Sequence, residues 1–170
     1  MAIVAFLDTC VLYPATLRDV LLNLAERGLY QIRWSPDVLA ELERNLLENG
    51  KPGRKVRDVM ESAFSDAMVL RESYATQIPD MPNDLKDRHV LAAAIACEAN
   101  VLITANLKHF KALPECCETE IQHPDTFLLQ QLNVAPNALL HALKHLAAKR
   151  KPPMDTVPGV ERQTIPPSNR

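Results

Sequence analysis

Two short apolar runs, each ending at a polar residue, constrain the fold more than any other feature of this chain. Residues 2–7 (AIVAFL) stop at Asp8, and residues 101–103 (VLI) stop at Thr104. Continuous apolar runs with β-branched members are typical of strands that are buried on both faces. Because helical patterns fill the sequence between them, we expect crossover units and a parallel sheet.

The spacing of apolar residues predicts helices between and after these strands. The first helix begins after Pro14 and ends at Gly28, and the second has Ser35 as its N-cap and Pro36 at its first helical position. Further helices are predicted over residues 54–64, 84–99, 124–132 and 136–149, and an edge strand over 120–122.

Composition excludes several classes of protein. The chain has 170 residues, of which 47% are hydrophobic and 24% charged, as in ordinary globular domains. No apolar run approaches the roughly 18 residues of a membrane span. The N-terminal sequence lacks the positive region of a secretory signal, and the four cysteines form no CxxC pair. We therefore expect a cytoplasmic protein with reduced thiols.

Charge and proline content suggest how the chain is organised. Residues 126–170 carry six Lys or Arg and two Asp or Glu, although the whole chain has a net charge of -2. This basic segment fits an anionic partner, or equally a solvated helix face. We predict a main domain over residues 1–130, a helical extension over 131–150 and a flexible proline-rich tail over 151–170.

The residues that remain for chemistry are mostly acids, since the sequence contains no GxxxxGK[ST], GxGxxG, GxSxG or HExxH motif. Asp8 follows the first predicted strand, and the carboxyl edge of a parallel sheet is where α/β proteins place their sites. A buried acid there is costly unless it is paired or binds a cation. The alternative is an exposed acid that starts a turn.

Four other polar residues are candidates, each with a structural alternative. Asp87 lies in the first turn of the alanine-rich helix predicted over residues 84–99, where acids also serve as caps. Glu41 borders the apolar stripe of the second helix, although glutamates in helices are mostly solvated. Thr104 and Asn106 follow the second strand, where they can orient a water molecule or simply form a turn with Asn106 as the N-cap.

Together Asp8, Glu41 and Asp87 are three carboxylates that this topology can bring to one cleft. Three like charges at one place repel each other unless a cation offsets them. Oxygen ligands suit Mg²⁺ or Mn²⁺, which make a water nucleophilic and neutralise charge on a phosphodiester.

Five stretches in order carry a resemblance to a known family. They are residues 6–14 (FLDTCVLYP), 18–25 (RDVLLNLA), 34–42 (WSPDVLAEL), 87–96 (DRHVLAAAIA) and 102–110 (LITANLKHF). The chain resembles the PIN-domain family of metal-dependent nucleases, which includes the VapC-like ribonuclease toxins of toxin–antitoxin pairs. It is most similar to a bacterial subgroup with a helical C-terminal extension.

The resemblance implies a three-layer α/β/α fold with a parallel central sheet and one or two Mg²⁺ or Mn²⁺ ions in an acidic cleft. It places the metal-binding acids at Asp8, Glu41 and Asp87, with Asp84 as a nearby alternate, and it places further site positions at Thr104 and Asn106. The resemblance implies an endoribonuclease that hydrolyses RNA and acts as a toxin. It also implies a homodimer and a small antitoxin protein as partner.

The sequence departs from the family at its last acidic position. Many relatives have Asp where this chain has Asn106, or an acid where it has His109. An alternative function is therefore a weak or inactive scaffold that binds RNA or a partner, and a third is a nuclease acting on structured DNA. In every case phosphate contacts have to be basic, and Arg18, Arg88 and Lys108 are the candidates.

Overall fold

A parallel sheet of four short strands organises the computed structural model, which describes residues 2–149. The strands are β1 (Val4–Leu7), β2 (Gln31–Arg33), β3 (Val101–Ile103) and β4 (Glu120–Gln122), in the order β2-β1-β3-β4. In the central register, Ala5 lies opposite Ile32 on one side and Val101 on the other. All strands point the same way, so their carboxyl ends meet at one edge of the sheet.

Helices flank this sheet, giving the α/β/α architecture that the sequence predicted. They are α1 (Thr9–Leu12), α2 (Ala15–Glu26), α3 (Pro36–Glu48), α4 (Gly53–Ala63), α5 (Arg88–Ala96), α6 (Pro124–Val134) and α7 (Pro136–Lys149). Short 3₁₀ turns lie at Arg71–Ser73, Ala75–Asp80, Leu85–Asp87 and Leu107–Phe110. None of the helices within residues 2–149 has the length and hydropathy of a membrane span.

The core lies where the central strands meet the helices. Phe6, Leu7 and Leu102 are fully buried, which explains why the apolar runs around them are continuous. In α5 the three alanines at positions 92–94 are also fully buried. Because alanine is small, this helix packs closely on β3 and brings its first turn near the carboxyl edge of the sheet.

Strand β2 was not predicted from the sequence. Gln31–Arg33 is only three residues long, and of these only Ile32 is buried. So short a segment shows no periodicity along the chain. Its backbone is held by pairing with β1, including the bond from Gln31 N to the Ile3 carbonyl at 2.8 Å.

The alanine-rich helix is shorter than predicted at both ends. Leu85–Asp87 form a 3₁₀ turn, and the α-helix itself begins at Arg88. At the other end, Glu98 adopts a φ of 52° and the Ala99 amide donates to the Ala94 carbonyl. This closes the helix before the predicted end at residue 99 in the manner of a Schellman motif.

The two C-terminal helices pack on the rest of the fold. Leu139, Ala142 and Leu146 are buried on α7, which lies against α2. Phe127 of α6 packs edge-on against Tyr30, with ring centroids 4.9 Å apart. The division of the chain at residue 130 remains a prediction, and the tail predicted over 151–170 lies outside the described residues.

We expect the substitution Gly53→Ala to destabilise the fold, because α4 begins against the backbone of α3. A Cβ added at Gly53 would overlap the carbonyl oxygen of Glu43, so one of the two helices has to shift. The cost should be about 1–3 kcal/mol in the free energy of unfolding, measured by chemical denaturation. Lys55→Ala, at an exposed position of the same helix, is the control and should change it by less than about 0.5 kcal/mol.

Candidate active site

Asp8 is a buried carboxylate at the carboxyl end of β1. It is 3% exposed, and its backbone amide donates to the Ile103 carbonyl of the neighbouring strand. As N-cap of α1, it accepts a 2.7 Å hydrogen bond from the Thr9 amide through Oδ1. The short helix that follows therefore fixes the direction of the carboxylate.

Thr104 holds the other oxygen of Asp8 from the adjacent strand. Its hydroxyl, which is fully buried, donates to Asp8 Oδ2 at 2.8 Å and accepts from the Asn106 amide at 3.1 Å. The Cys10 thiol also donates to Asp8 Oδ2, at 3.4 Å. Burial and the neighbouring Asp8 raise the pKa of Cys10 to about 11, so the thiol remains a protonated donor at neutral pH.

The buried position of Asp8 has an electrostatic consequence. Burial raises the pKa of Asp8 above its ordinary value, and the negative charge of Asp87 raises it further. Hydrogen bonds from Thr104, Cys10 and Thr9 favour the ionised form and oppose the shift. The net shift is upward, so the fold places a carboxylate where its charge is destabilised.

Glu41 reaches this place from α3. Ser35 caps that helix by accepting from the Val38 amide, as predicted, and buried apolar residues turn one face of the helix to the core. Glu41 borders that face, and its Oε2 accepts from the Thr9 hydroxyl at 3.2 Å. Thr9 thus joins the second carboxylate to the first, because its amide already binds Asp8.

Asp87 completes the group from the start of α5. It stands at the N-cap position, yet its carboxylate makes no capping hydrogen bond. Instead Oδ2 lies 2.6 Å from Nδ1 of His109, and the Asp87 side chain is 14% exposed. Its effect on the pKa of Asp8 shows that the two carboxylates lie within electrostatic reach of each other.

The structure therefore places Asp8, Glu41 and Asp87 around the same edge of the sheet, where Thr9 links Glu41 to Asp8 and the turn from Thr104 to His109 links Asp8 to Asp87. Within residues 2–149, no Lys or Arg forms an ion pair with any of them. Two histidines are their basic neighbours: His89 Nε2 lies 4.0 Å from Glu41 Oε2, and His109 contacts Asp87. Carboxylate oxygens with little compensating charge suit a divalent cation such as Mg²⁺ or Mn²⁺, although the oxygens of these three residues do not all lie within 4.8 Å of one another.

Within residues 2–149, the one group of three possible ligands whose ligand atoms all lie within 4.8 Å of one another is Asp84, Asp87 and His109. It shares one residue with the set that the sequence predicted. Asp84, the alternate position in the sequence, is exposed and accepts a 3.1 Å hydrogen bond from the Lys86 amide, as an N-cap does. Asp87 is the member that both sets share.

Comparison with known proteins gives the family. A family model described as PIN domain matches residues 4–108. The chain belongs to the PIN-domain family. This confirms the resemblance found in the sequence, and the three carboxylates lie within the matched residues.

Individual relatives of this PIN domain cover less of it or are more distant. The "Putative ribonuclease VapC50" of Mycobacterium tuberculosis is 48% identical over 67 residues, which are 38% of this chain and 39% of that protein. The match thus spans about two fifths of the relative's length.

Among solved structures, one similar chain comes from VapBC2 of Rickettsia felis bound to a DNA fragment from their promoter. It is 22% identical with a TM-score of 0.48, and the match covers 71% of this chain and 98% of that one. A chain of VapBC-1 from nontypeable Haemophilus influenzae is 16% identical with a TM-score of 0.46, over 72% and 99%.

The remaining predicted site residues of the PIN domain lie at varied positions. Asn106 is half-buried; its amide binds Thr104, and its side chain makes no hydrogen bond within the described part of the chain. Arg18 donates to the Leu12 carbonyl at 2.9 Å, and Arg88 donates to the Asn83 and Pro79 carbonyls. Lys108 is exposed. The roles of these residues, like those of the three acids, remain predictions.

Sequence reasoning gave no site role to Thr9, Cys10 or His89. Thr9 and Cys10 follow Asp8 directly, so proximity along the chain was a signal for both. His89 lies two residues after Asp87 and is brought to Glu41 only by the packing of α5 near α3. His109, where the sequence departs from relatives that carry an acid, is paired with Asp87 in the structure.

We expect Asp8→Asn to stabilise the cation-free protein by about 1 kcal/mol at pH 7, because it removes a charge that burial disfavours. The folded-state pKa of Asp8 lies above the ordinary value of 3.8, so the folded protein binds this proton more tightly than the unfolded chain. Its contribution to stability is therefore present at low pH and is lost as pH rises from about 3.8 through the raised pKa.

The measurement is urea denaturation at several pH values in the presence of EDTA. The advantage of Asp8→Asn should disappear at the acidic end of the series, where Asp8 is protonated in both states. Asp58→Asn, at an exposed position, should show little change at any pH. A variant less stable than wild type at pH 7 contradicts this account of Asp8.

Proposed function

We propose that this PIN domain is a divalent-cation-dependent endoribonuclease that hydrolyses RNA phosphodiesters, and that it acts as the toxin of a type II toxin–antitoxin pair. The observation that carries the nuclease proposal is the convergence of Asp8, Glu41 and Asp87 at the carboxyl edge of the sheet. Membership of the PIN-domain family and the partial match to a protein named as a putative ribonuclease support it.

Asp8, Glu41 and Asp87 are the residues that would hold the cation, either directly or through water. Mg²⁺ or Mn²⁺ suits the site because all three side chains offer carboxylate oxygens. When bound, such a cation activates a water molecule and neutralises charge that develops on the phosphodiester.

Asp8 and Glu41 have different proposed roles in the reaction. Asp8 is held from both strands and by α1, so it supplies a fixed anchor for binding. Glu41 is the most exposed of the three carboxylates, with 35% of its side chain accessible. It is therefore the group placed to orient the attacking water and to accept a proton at its carboxylate.

Three basic residues singled out in the sequence supply the proposed contacts with RNA phosphates. Lys108 is exposed in the turn after Asn106, next to His109, which contacts the Asp87 carboxylate. Arg88 directly follows Asp87, and Arg18 lies in α2; both also hold backbone carbonyls. Contacts of this kind supply affinity and position the strand without reading the sequence of the RNA.

The toxin proposal has a separate basis. It rests on the 48% identity, over 67 residues, to a protein named VapC50. A toxin of this kind requires an antitoxin, so we propose a small protein partner, and we propose a homodimer as the active form. A cytoplasmic location follows from the RNA substrate.

We expect purified protein to cleave single-stranded RNA with Mg²⁺ or Mn²⁺ and to lose this activity with EDTA. Asp8→Asn, Glu41→Gln and Asp87→Asn should each lower the cleavage rate by about 100-fold or more, because each removes a charge that binds the cation. Gel-based cleavage of a labelled RNA measures this, with a DNA of the same sequence and a structured DNA run in parallel.

Glu43→Gln is the matched control for Glu41→Gln. Glu43 lies on the same helix but pairs with Arg57 at 3.2 Å, away from the site, so its loss should leave the cleavage rate within about twofold of wild type. Cleavage that resists EDTA contradicts the mechanism. If wild type is inactive and Asn106→Asp creates activity, the protein is instead a scaffold that binds RNA without cutting it.

In cells, we expect induced expression of the full chain to arrest bacterial growth and Asp8→Asn to abolish the arrest. The reason is that toxicity in this proposal comes from cleavage and not from binding alone. Growth curves measure the effect, and immunoblots confirm that both proteins accumulate to equal levels. Equal arrest by wild type and Asp8→Asn contradicts the toxin mechanism.

A further inference from the structure

His109 is a half-buried neighbour of the site that the proposed reaction does not use. Its Nδ1 lies 2.6 Å from Asp87 Oδ2, and 29% of the His109 side chain is exposed. Among residues 2–149, His109 is the one hydrogen-bond partner of the Asp87 side chain. Without this bond, nothing in the described chain fixes the rotation of the Asp87 carboxylate.

The backbone of His109 holds the same segment a second time. Its carbonyl oxygen accepts from the Asp84 amide at 3.1 Å, and the Asp84 carbonyl accepts from the Asp87 amide at 3.0 Å. His109 therefore contacts both ends of the turn that carries Asp87, with its carbonyl at one end and its ring at the other. The hydrogen bond from the Asp84 amide to the His109 carbonyl thus helps to hold the imidazole ring beside Asp87.

A chain of hydrogen bonds connects His109 to Asp8. The His109 amide donates to the Asn106 carbonyl at 2.9 Å, and the Asn106 amide donates to the Thr104 hydroxyl at 3.1 Å. That hydroxyl donates to Asp8 Oδ2 at 2.8 Å. The turn after β3 therefore fixes the carboxylates of Asp8 and Asp87 relative to each other. His109 is the last member of this series of hydrogen bonds before Asp87.

We infer that His109 is a positioning residue, whose Nδ1–H donates to Asp87 Oδ2 and holds Oδ1 ready to bind the cation. The inference rests on the proposed function, because it gives His109 its role in the same site. A ligating carboxylate that is oriented by a hydrogen bond binds its metal more tightly, and losing such a bond costs about 10- to 100-fold in affinity or activity.

The competing role for His109 is that of a direct ligand, since its ring lies within 4.8 Å of Asp84 and Asp87 ligand atoms. The two roles predict different results. A positioning residue acts through Asp87, so its loss weakens Mg²⁺ and Mn²⁺ equally. An imidazole ligand favours transition metals over Mg²⁺, so its loss weakens Mn²⁺ more.

The test measures Mn²⁺ and Mg²⁺ binding to the full chain by isothermal titration for wild type, His109→Ala, His109→Asn and His145→Ala. We expect His109→Ala to raise the Kd of both cations by about 10- to 100-fold. His109→Asn, whose amide can replace the Nδ1–H donor, should return to within about twofold of wild type, as should the exposed control His145→Ala. Thermal unfolding with EDTA checks that all four proteins are folded.

Cleavage assays and NMR separate this inference from the proposed function. At saturating Mn²⁺, kcat of His109→Ala should stay within about twofold of wild type, so that the loss lies in cation affinity. In the cation-free protein, ¹⁵N-histidine spectra should show a proton on Nδ1 of His109. The signal of that proton should shift in Asp87→Ala, because this substitution removes the acceptor.

Unchanged binding by His109→Ala, an Asn variant as weak as the Ala variant, a loss confined to Mn²⁺, or an unprotonated Nδ1 each overturns the inference. Wild type that binds Mn²⁺ but cuts no RNA overturns the proposed function alone. The positioning role is then judged by the binding ratio and the spectra.

Discussion

The hydrogen bond from the Thr104 hydroxyl to the Asp8 carboxylate is the interaction on which the site depends. It joins the ends of two adjacent parallel strands, β1 and β3, and it does so where both side chains are buried. Parallel pairing sets this geometry, because the register that matches Leu7 with Ile103 brings the next residue of each strand to the same edge. From Asp8 the arrangement extends through Thr9 to Glu41, and from Thr104 through the following turn to Asp87. The sheet therefore determines not only where the site lies but which oxygens face one another.

Placing carboxylates in such a position costs stability that the rest of the fold has to supply. Asp8 is buried, and both burial and the charge of Asp87 disfavour its ionised form. Neutral donors, namely a hydroxyl, a thiol and an amide, offset part of this cost without cancelling the negative charge. A Lys or Arg in their place would neutralise the site, and the described chain places none in an ion pair there. The fold thus keeps a local negative potential that favours a cation at the expense of its own stability.

The sequence predicted the elements that carry strong local signals. Continuous apolar runs revealed β1 and β3, Ser35 and Pro36 marked the start of α3, and acids after a buried strand pointed to the carboxyl edge. It missed β2, because a three-residue strand with one buried side chain has no period to detect. The predicted α5 extended too far, because Glu98 ends the helix in a left-handed conformation that a glutamate does not predict. The contacts of His89 and His109 were beyond it, since each depends on how distant segments pack and not on spacing along the chain.

The distance along the chain between the two central strands has a consequence for biosynthesis. β1 is complete by Leu7 and β2 by Arg33, but β3, the other neighbour of β1, begins only at Val101, so half of the sheet waits for residues made much later. Contacts between such distant residues form slowly, because the entropy cost of closing a long loop comes before the contacts can stabilise the fold. Asp8 therefore leaves the ribosome long before Thr104 can hold it, and a growing chain has no assembled cleft. The group of acids at this edge of the sheet is therefore assembled only after the last parallel strands have docked.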